Sequence, residues 1–84
     1  MESINDLYNE LSKNYSVEWI DDKSFYVYFD KYRAYVDSKY IGYFVKKKRL
    51  FSKKTFWKDI THDHYDDSNY DLMYKDILGV ISKY

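Results

Sequence analysis

Two histidines separated by one aspartate, His62-Asp63-His64, stand close to Asp59, Asp66 and Asp67 and form the only concentration of metal-ligand types in the chain. Two imidazoles and a carboxylate hold zinc or a similar ion when they converge on one point. Here the i, i+2 pair lacks the helical spacing that aims both rings of an HExxH motif at one centre, and no third histidine exists. The expectation is therefore no metal and no cofactor, with residues 61–67 a solvated acidic loop.

Nucleophilic chemistry has as little to work with. There is no cysteine and no Gly-x-Ser-x-Gly elbow, and Gly42 and Gly79 are the only glycines, so no glycine-rich loop can cradle a phosphate. A pair of carboxylates could hydrolyse a substrate only inside a pocket of roughly 300 Å³ or more, which a chain this short seldom encloses. The reading is a protein that binds and does not catalyse.

What the chain does carry is charge in blocks. Its 14 Lys and Arg balance 14 Asp and Glu, yet residues 1–30 have a net charge of −5, residues 31–58 of +9 and residues 59–84 of −4. Such segregation produces a strong dipolar field without any net charge. Either the acidic ends fold back and neutralise the middle, or the middle is free for a partner. The basic block also holds eight aromatic residues. Cations that follow phosphates and rings that stack on bases are how single-stranded nucleic acid is held. Lys46, Lys47, Lys48, Arg49, Lys53 and Lys54, with Tyr40, Tyr43, Phe56 and Trp57, are the candidate basic aromatic patch.

A protein partner fits the remaining features better and is the favoured expectation, with single-stranded nucleic acid as the alternative. Nineteen aromatics, 12 of them tyrosine, exceed what the interior of 84 residues can hide, and surplus Tyr and Trp are typical interface anchors. Asp59, Asp63, Asp66, Asp67, Asp71 and Asp76 form a candidate acidic patch that could mimic phosphate on a partner with a basic groove.

These residues must be positioned by local structure. Ile4, Leu7, Tyr8 and Leu11 recur at helical spacing, and Ser3 with Asp6 resembles a capping box, so a helix is expected over residues 3–13. Alternation predicts strands over residues 15–19, 24–29, 32–36 and 40–45, with Phe25, Val27 and Phe29 on one face and Tyr26 and Tyr28 on the other. Gly42 marks a bulge or a close approach. Residues 50–60 fit either a hairpin end or a short helix. A second helix starts near Ser68 with Tyr70, Met73, Tyr74, Ile77 and Ile81 as its stripe, where Gly79 would permit close packing on the sheet. The whole, residues 1–84, is expected to be one α+β domain: an antiparallel sheet of three to four strands, flanked by an N-terminal and a C-terminal helix. If both helices cover one face, the other presents aromatics to solvent.

Ser3-Ile4-Asn5-Asp6-Leu7 followed by Tyr15-Ser16-Val17, together with the acidic stretch from His64-Tyr65-Asp66-Asp67 to Tyr74-Lys75-Asp76, resembles small phage-encoded anti-CRISPR proteins that inhibit type II-A Cas9. The resemblance implies a helix, then a small antiparallel sheet, then an acidic helical C-terminus, and a host protein such as a Cas9-type nuclease as partner. The basic residues 31–58 depart from the acidic DNA mimics of that family and imply an inhibitor of mixed charge. A chain rich in Lys, Asn, Asp and Tyr with one alanine suits an AT-rich phage or mobile element. The absence of cysteine and of an apolar run of about 18 residues points to the cytoplasm and to no membrane, and the resemblance implies the cytoplasm of a bacterial host.

Overall fold

The computed structural model describes all 84 residues. Helix α1 spans Ile4–Ser12 and is followed by five strands: β1 (Ser16–Trp19), β2 (Phe25–Phe29), β3 (Tyr32–Val36), β4 (Tyr40–Lys48) and β5 (Thr55–His64). Helix α2 (Tyr70–Lys83) closes the chain. The strands form one antiparallel meander in the order β1-β2-β3-β4-β5. The α+β architecture with a helix at each end is as the patterning implies, with five strands where three to four are expected.

The α1 cap follows from its sequence: the Ser3 hydroxyl accepts the Asp6 N–H at 3.2 Å, and the Asp6 carboxylate accepts the Glu2 N–H at 2.9 Å. Those bonds hold the Asp6 carboxyl below its ordinary range. In α2 the cap is Asn69, one residue beyond the expected start, and its side chain accepts the Leu72 N–H at 3.1 Å. Asn is as good a cap as Ser, so residue type does not distinguish Asn69 from the adjacent Ser68.

One core serves the whole chain. Leu7 and Leu11 from α1 and Met73 and Ile77 from α2 pack on Phe25, Val27, Phe29, Ala34, Val36, Ile41 and Tyr43. Each buried Leu, Ile, Phe or Met side chain contributes about 1.5–3 kcal/mol relative to leaving it in water. Tyr8, Trp19 and Phe25 extend this layer as an aromatic triplet, with Tyr8 stacked on Trp19 at 4.4 Å. Both helices therefore lie on the same side of the sheet.

Residues 50–60 resolve as a turn and strand, and residues 61–64 are strand rather than loop. Tyr43 pairs with Thr61, Gly42 with His62, Ile41 with Asp63 and Tyr40 with His64. The side chains of Thr61, His62, Asp63 and His64 are all exposed, so the segment is held by backbone bonds to β4 and leaves no hydropathy trace. Phe44 pairs with Asp59, which leaves Ile60 as the extra residue of a bulge. Two-residue Asp30-Lys31 joins β2 to β3, and Asp30 takes φ 56°, the left-handed region that Asp tolerates better than most residues.

Gly79 does not pack on the sheet: a Cβ there would meet nothing within 4 Å. It sits on the exposed side of α2, where glycine contributes only backbone freedom. Gly79→Ala should therefore stabilise the fold by about 1 kcal/mol, or raise Tm by about 4–8 °C, in thermal denaturation.

The β1–β2 turn gives a pH-dependent counterpart. The Asp21 carboxylate accepts the Lys23 N–H at 2.8 Å and the Ser24 hydroxyl at 2.9 Å, and the Lys23 bond most of all lowers its pKa. Folding is thus favoured above the unfolded value of 3.8, and the contribution is lost as pH falls through the lower folded value. Wild type and Asp21→Asn should differ in Tm at neutral pH and converge in acid.

Candidate functional site: an open aromatic sheet face

Because side chains alternate across a strand, the residues between the core positions face away from the helices. On β2 these are Tyr26 and Tyr28, on β3 Arg33 and Tyr35, on β4 Tyr40, Gly42, Phe44 and Lys46, and on β5 Trp57, Asp59, His62 and His64. The bulge at Ile60 keeps Trp57 and Asp59 on the same face as His62 and His64.

The rings form a continuous strip over four strands. Trp57 lies 6.4 Å from Tyr28, Tyr28 6.0 Å from Tyr26, Tyr26 6.2 Å from Tyr35 and Tyr35 6.0 Å from Tyr40. Tyr40 in turn stacks on His62 at 5.9 Å and meets His64 at 5.0 Å. Gly42 makes room for it: a Cβ there would stand 3.0 Å from Tyr40 Cε1, so the Tyr40 ring lies over the glycine. That is the close approach the sequence marks at Gly42.

Arg33 sits inside this strip. Its guanidinium lies 4.0 Å from the Tyr26 ring centroid and 4.3 Å from Trp57, with Phe44 at 5.9 Å. Its Nε is shielded from solvent and donates no hydrogen bond within the chain. No carboxylate lies within ion-pair distance. The only ion pairs in the protein are the Met1 amino group with Asp71 at 3.0 Å and Lys13 with Glu10 at 2.9 Å. None of the ten cations of residues 31–58 is therefore paired, and the basic block is not neutralised by the acidic ends.

The six basic candidates fall together. Lys46, Lys47 and Lys48 continue β4 beyond its pairing with Tyr32, the first residue of β3, and lie opposite Trp57, Phe56 and Thr55 of β5, while Arg49, Lys53 and Lys54 surround the turn. Trp57 and Tyr40 lie on the open face, near its two ends. Phe56 is 41% exposed on the opposite side of the ribbon, with the Arg49 guanidinium 5.8 Å from its ring. Tyr43 is not a surface residue: it is 1% exposed in the core, because it shares the face of Ile41 and Val45. Burial raises its hydroxyl pKa well above the ordinary value.

The acidic candidates are divided. Asp63 and Asp76 line one shallow groove with Lys75 and Lys83, and the Tyr65 hydroxyl donates to Asp76 at 2.7 Å. Asp66 and Asp67 lie in the turn before α2, Asp71 pairs with the N-terminus, and Asp59 stands apart on the open face. The meander places the β1–β2 and β3–β4 turns, the end of β5 and the start of α2 at one end of the molecule. Asp21, Asp22, Asp37, Asp63, Asp66 and Asp67 thus gather opposite the lysine-rich ribbon.

Tyr26, Tyr28, Arg33, Tyr35, His62 and His64 belong to the face but not to the sequence-derived site. The signal for them is alternation: in β2 each tyrosine follows a core residue. His62 and His64 share one face with their rings 5.2 Å apart, while Asp63 faces the helices, and no three His, Asp or Glu side chains converge on a common point. No helix is long and apolar enough to cross a membrane.

Comparison with protein-family models, with curated proteins and with solved structures finds no match to this chain.

Arg33→Ala would remove two cation–π stacks of about 0.5–1 kcal/mol each. We expect a destabilisation of about 1–2 kcal/mol in chemical denaturation and a changed Trp57 emission. Arg33→Lys should restore only part of both, since an ammonium cannot stack its plane on two rings.

Proposed function

We propose that this protein is a non-enzymatic binding module that takes single-stranded nucleic acid across the open face of its sheet. The observation that carries this reading is the unpaired Arg33, stacked between Tyr26 and Trp57 on a strip of aromatic rings that no helix covers. Rings on such a face offer stacking surfaces to bases, and each base stacked contributes about 1–3 kcal/mol. The cations of residues 46–58 supply the phosphate contacts at one end of the strip.

A second reading is supported by the acids gathered at the opposite end. In it the protein is a phage or mobile-element accessory protein, acting in the cytoplasm of a bacterial host. It inhibits a nucleic-acid-handling protein, with a Cas9-type nuclease as the favoured target. Asp63, Asp66, Asp67 and Asp71 would then meet the partner's basic groove.

Charge reversal separates the two. Under the first reading, purified protein shifts a labelled oligonucleotide at low salt, and changing Lys46, Lys47, Lys48 and Arg49 to Glu abolishes the shift. Each cation withdrawn from a phosphate should reduce the salt slope by about 0.7 for a single strand. Trp57→Ala and Tyr40→Ala should each weaken binding by about 1–3 kcal/mol with the slope unchanged. Absence of any shift at low salt rejects this reading. Loss of inhibition only when Asp63, Asp66, Asp67 and Asp71 become Lys supports the second.

A further inference from the structure

The end of the β4–β5 ribbon contributes no residue to the hydrophobic core. The pairing of β3 with β4 stops at Tyr32 and Val45, followed by one further bond from the Lys46 N–H to the Lys31 carbonyl. Beyond it the ribbon is two-stranded and projects from the body. The molecule measures 46 × 22 × 20 Å, and its radius of gyration of 13.2 Å exceeds the roughly 12 Å of a compact chain of this length. Residues 46–58 hold seven cations and no acid. At the tip, between Arg49 and Ser52, Leu50 is 87% and Phe51 96% exposed. The tip is nonetheless a defined turn, closed by the Arg49 N–H to the Lys54 carbonyl at 3.1 Å and by the Lys54 N–H to the Ser52 hydroxyl at 3.1 Å.

A projecting two-stranded ribbon has the dimensions that a duplex groove admits, and lysines along it match duplex phosphates. Apolar side chains at the end of such an arm act as wedges that unstack a base step. The ribbon is continuous with the aromatic strip: Lys46 Nζ lies 5.9 Å from the Trp57 ring, on which Arg33 stacks. That continuity favours nucleic acid as the occupant.

We propose that the ribbon reads a junction between duplex and single strand, its cations on the duplex phosphates and Leu50 and Phe51 wedged against the first base pair. The single strand then leaves the junction across Trp57 and Tyr26 toward Tyr40. This inference rests on the reading of the open face as a single-strand site and adds what that strand is attached to.

The test measures binding of the full chain, by fluorescence anisotropy at fixed salt, to an oligothymidine strand, a blunt duplex and the same duplex with a single-stranded overhang. The junction should bind at least about ten-fold more tightly than either simple ligand. The double variant Leu50→Ser/Phe51→Ser should lose that preference and keep its affinity for the single strand. Both residues are exposed, so its thermal unfolding should match wild type. Equal binding of strand and junction by wild type overturns the junction proposal and leaves the single-strand reading standing. Binding of no oligonucleotide overturns both. Sedimentation with phosphatidylserine vesicles that depends on Leu50 and Phe51, without junction preference, also overturns it.

Discussion

Both helices lie on one side of a five-stranded sheet, so Leu7, Leu11, Met73 and Ile77 withdraw alternate residues of β2, β3 and β4 from water and leave their neighbours uncovered. An 84-residue chain has too little material for a second covering layer. The uncovered face must remain compatible with solvent while resting on a thin core. Tyrosine meets that demand with a ring that packs sideways on its neighbours and a hydroxyl that stays wet. The strip from Trp57 to Tyr40 is thus a consequence of single-sided packing.

The same geometry explains the position of Arg33. A cation at the centre of a sheet face would ordinarily be matched by a carboxylate, but here the quadrupoles of Tyr26 and Trp57 take that place. Its charge is stabilised without being cancelled. The remaining cations escape neutralisation for a topological reason. Seven of the nine lie in residues 46–58, on the ribbon that extends past β3, whereas the β1–β2 and β3–β4 turns with Asp21, Asp22 and Asp37 lie at the other end of the meander. The seven cations of the ribbon and the acids of those two turns thus stand at opposite ends of the molecule.

Local sequence is most informative where one residue type answers to one environment. The period of Ile4, Leu7, Tyr8 and Leu11, and the alternation in Phe25, Val27 and Phe29, match the helix and strand that form, since burial on one face imposes that spacing. It is least informative where backbone pairing alone decides. Thr61 to His64 are polar on both faces and become strand because β4 offers them hydrogen bonds. Gly79 shows the opposite case: glycine suggests close packing by type, yet no atom approaches it. Composition puts Tyr43 among the binding residues, and strand parity buries it.

The sequence by itself determined the two helices and the first four strands, the identity of most core residues and the separation of charge into −5, +9 and −4 blocks, because these depend on spacing and counting. Whether those blocks cancel was decided by tertiary structure, which leaves every cation of residues 31–58 unpaired. It also decided which aromatics share a face, through strand register and the single bulge at Ile60 that keeps Trp57, His62 and His64 on one side. A one-residue shift in either would have turned those side chains toward the helices, and no local pattern in β5 records it.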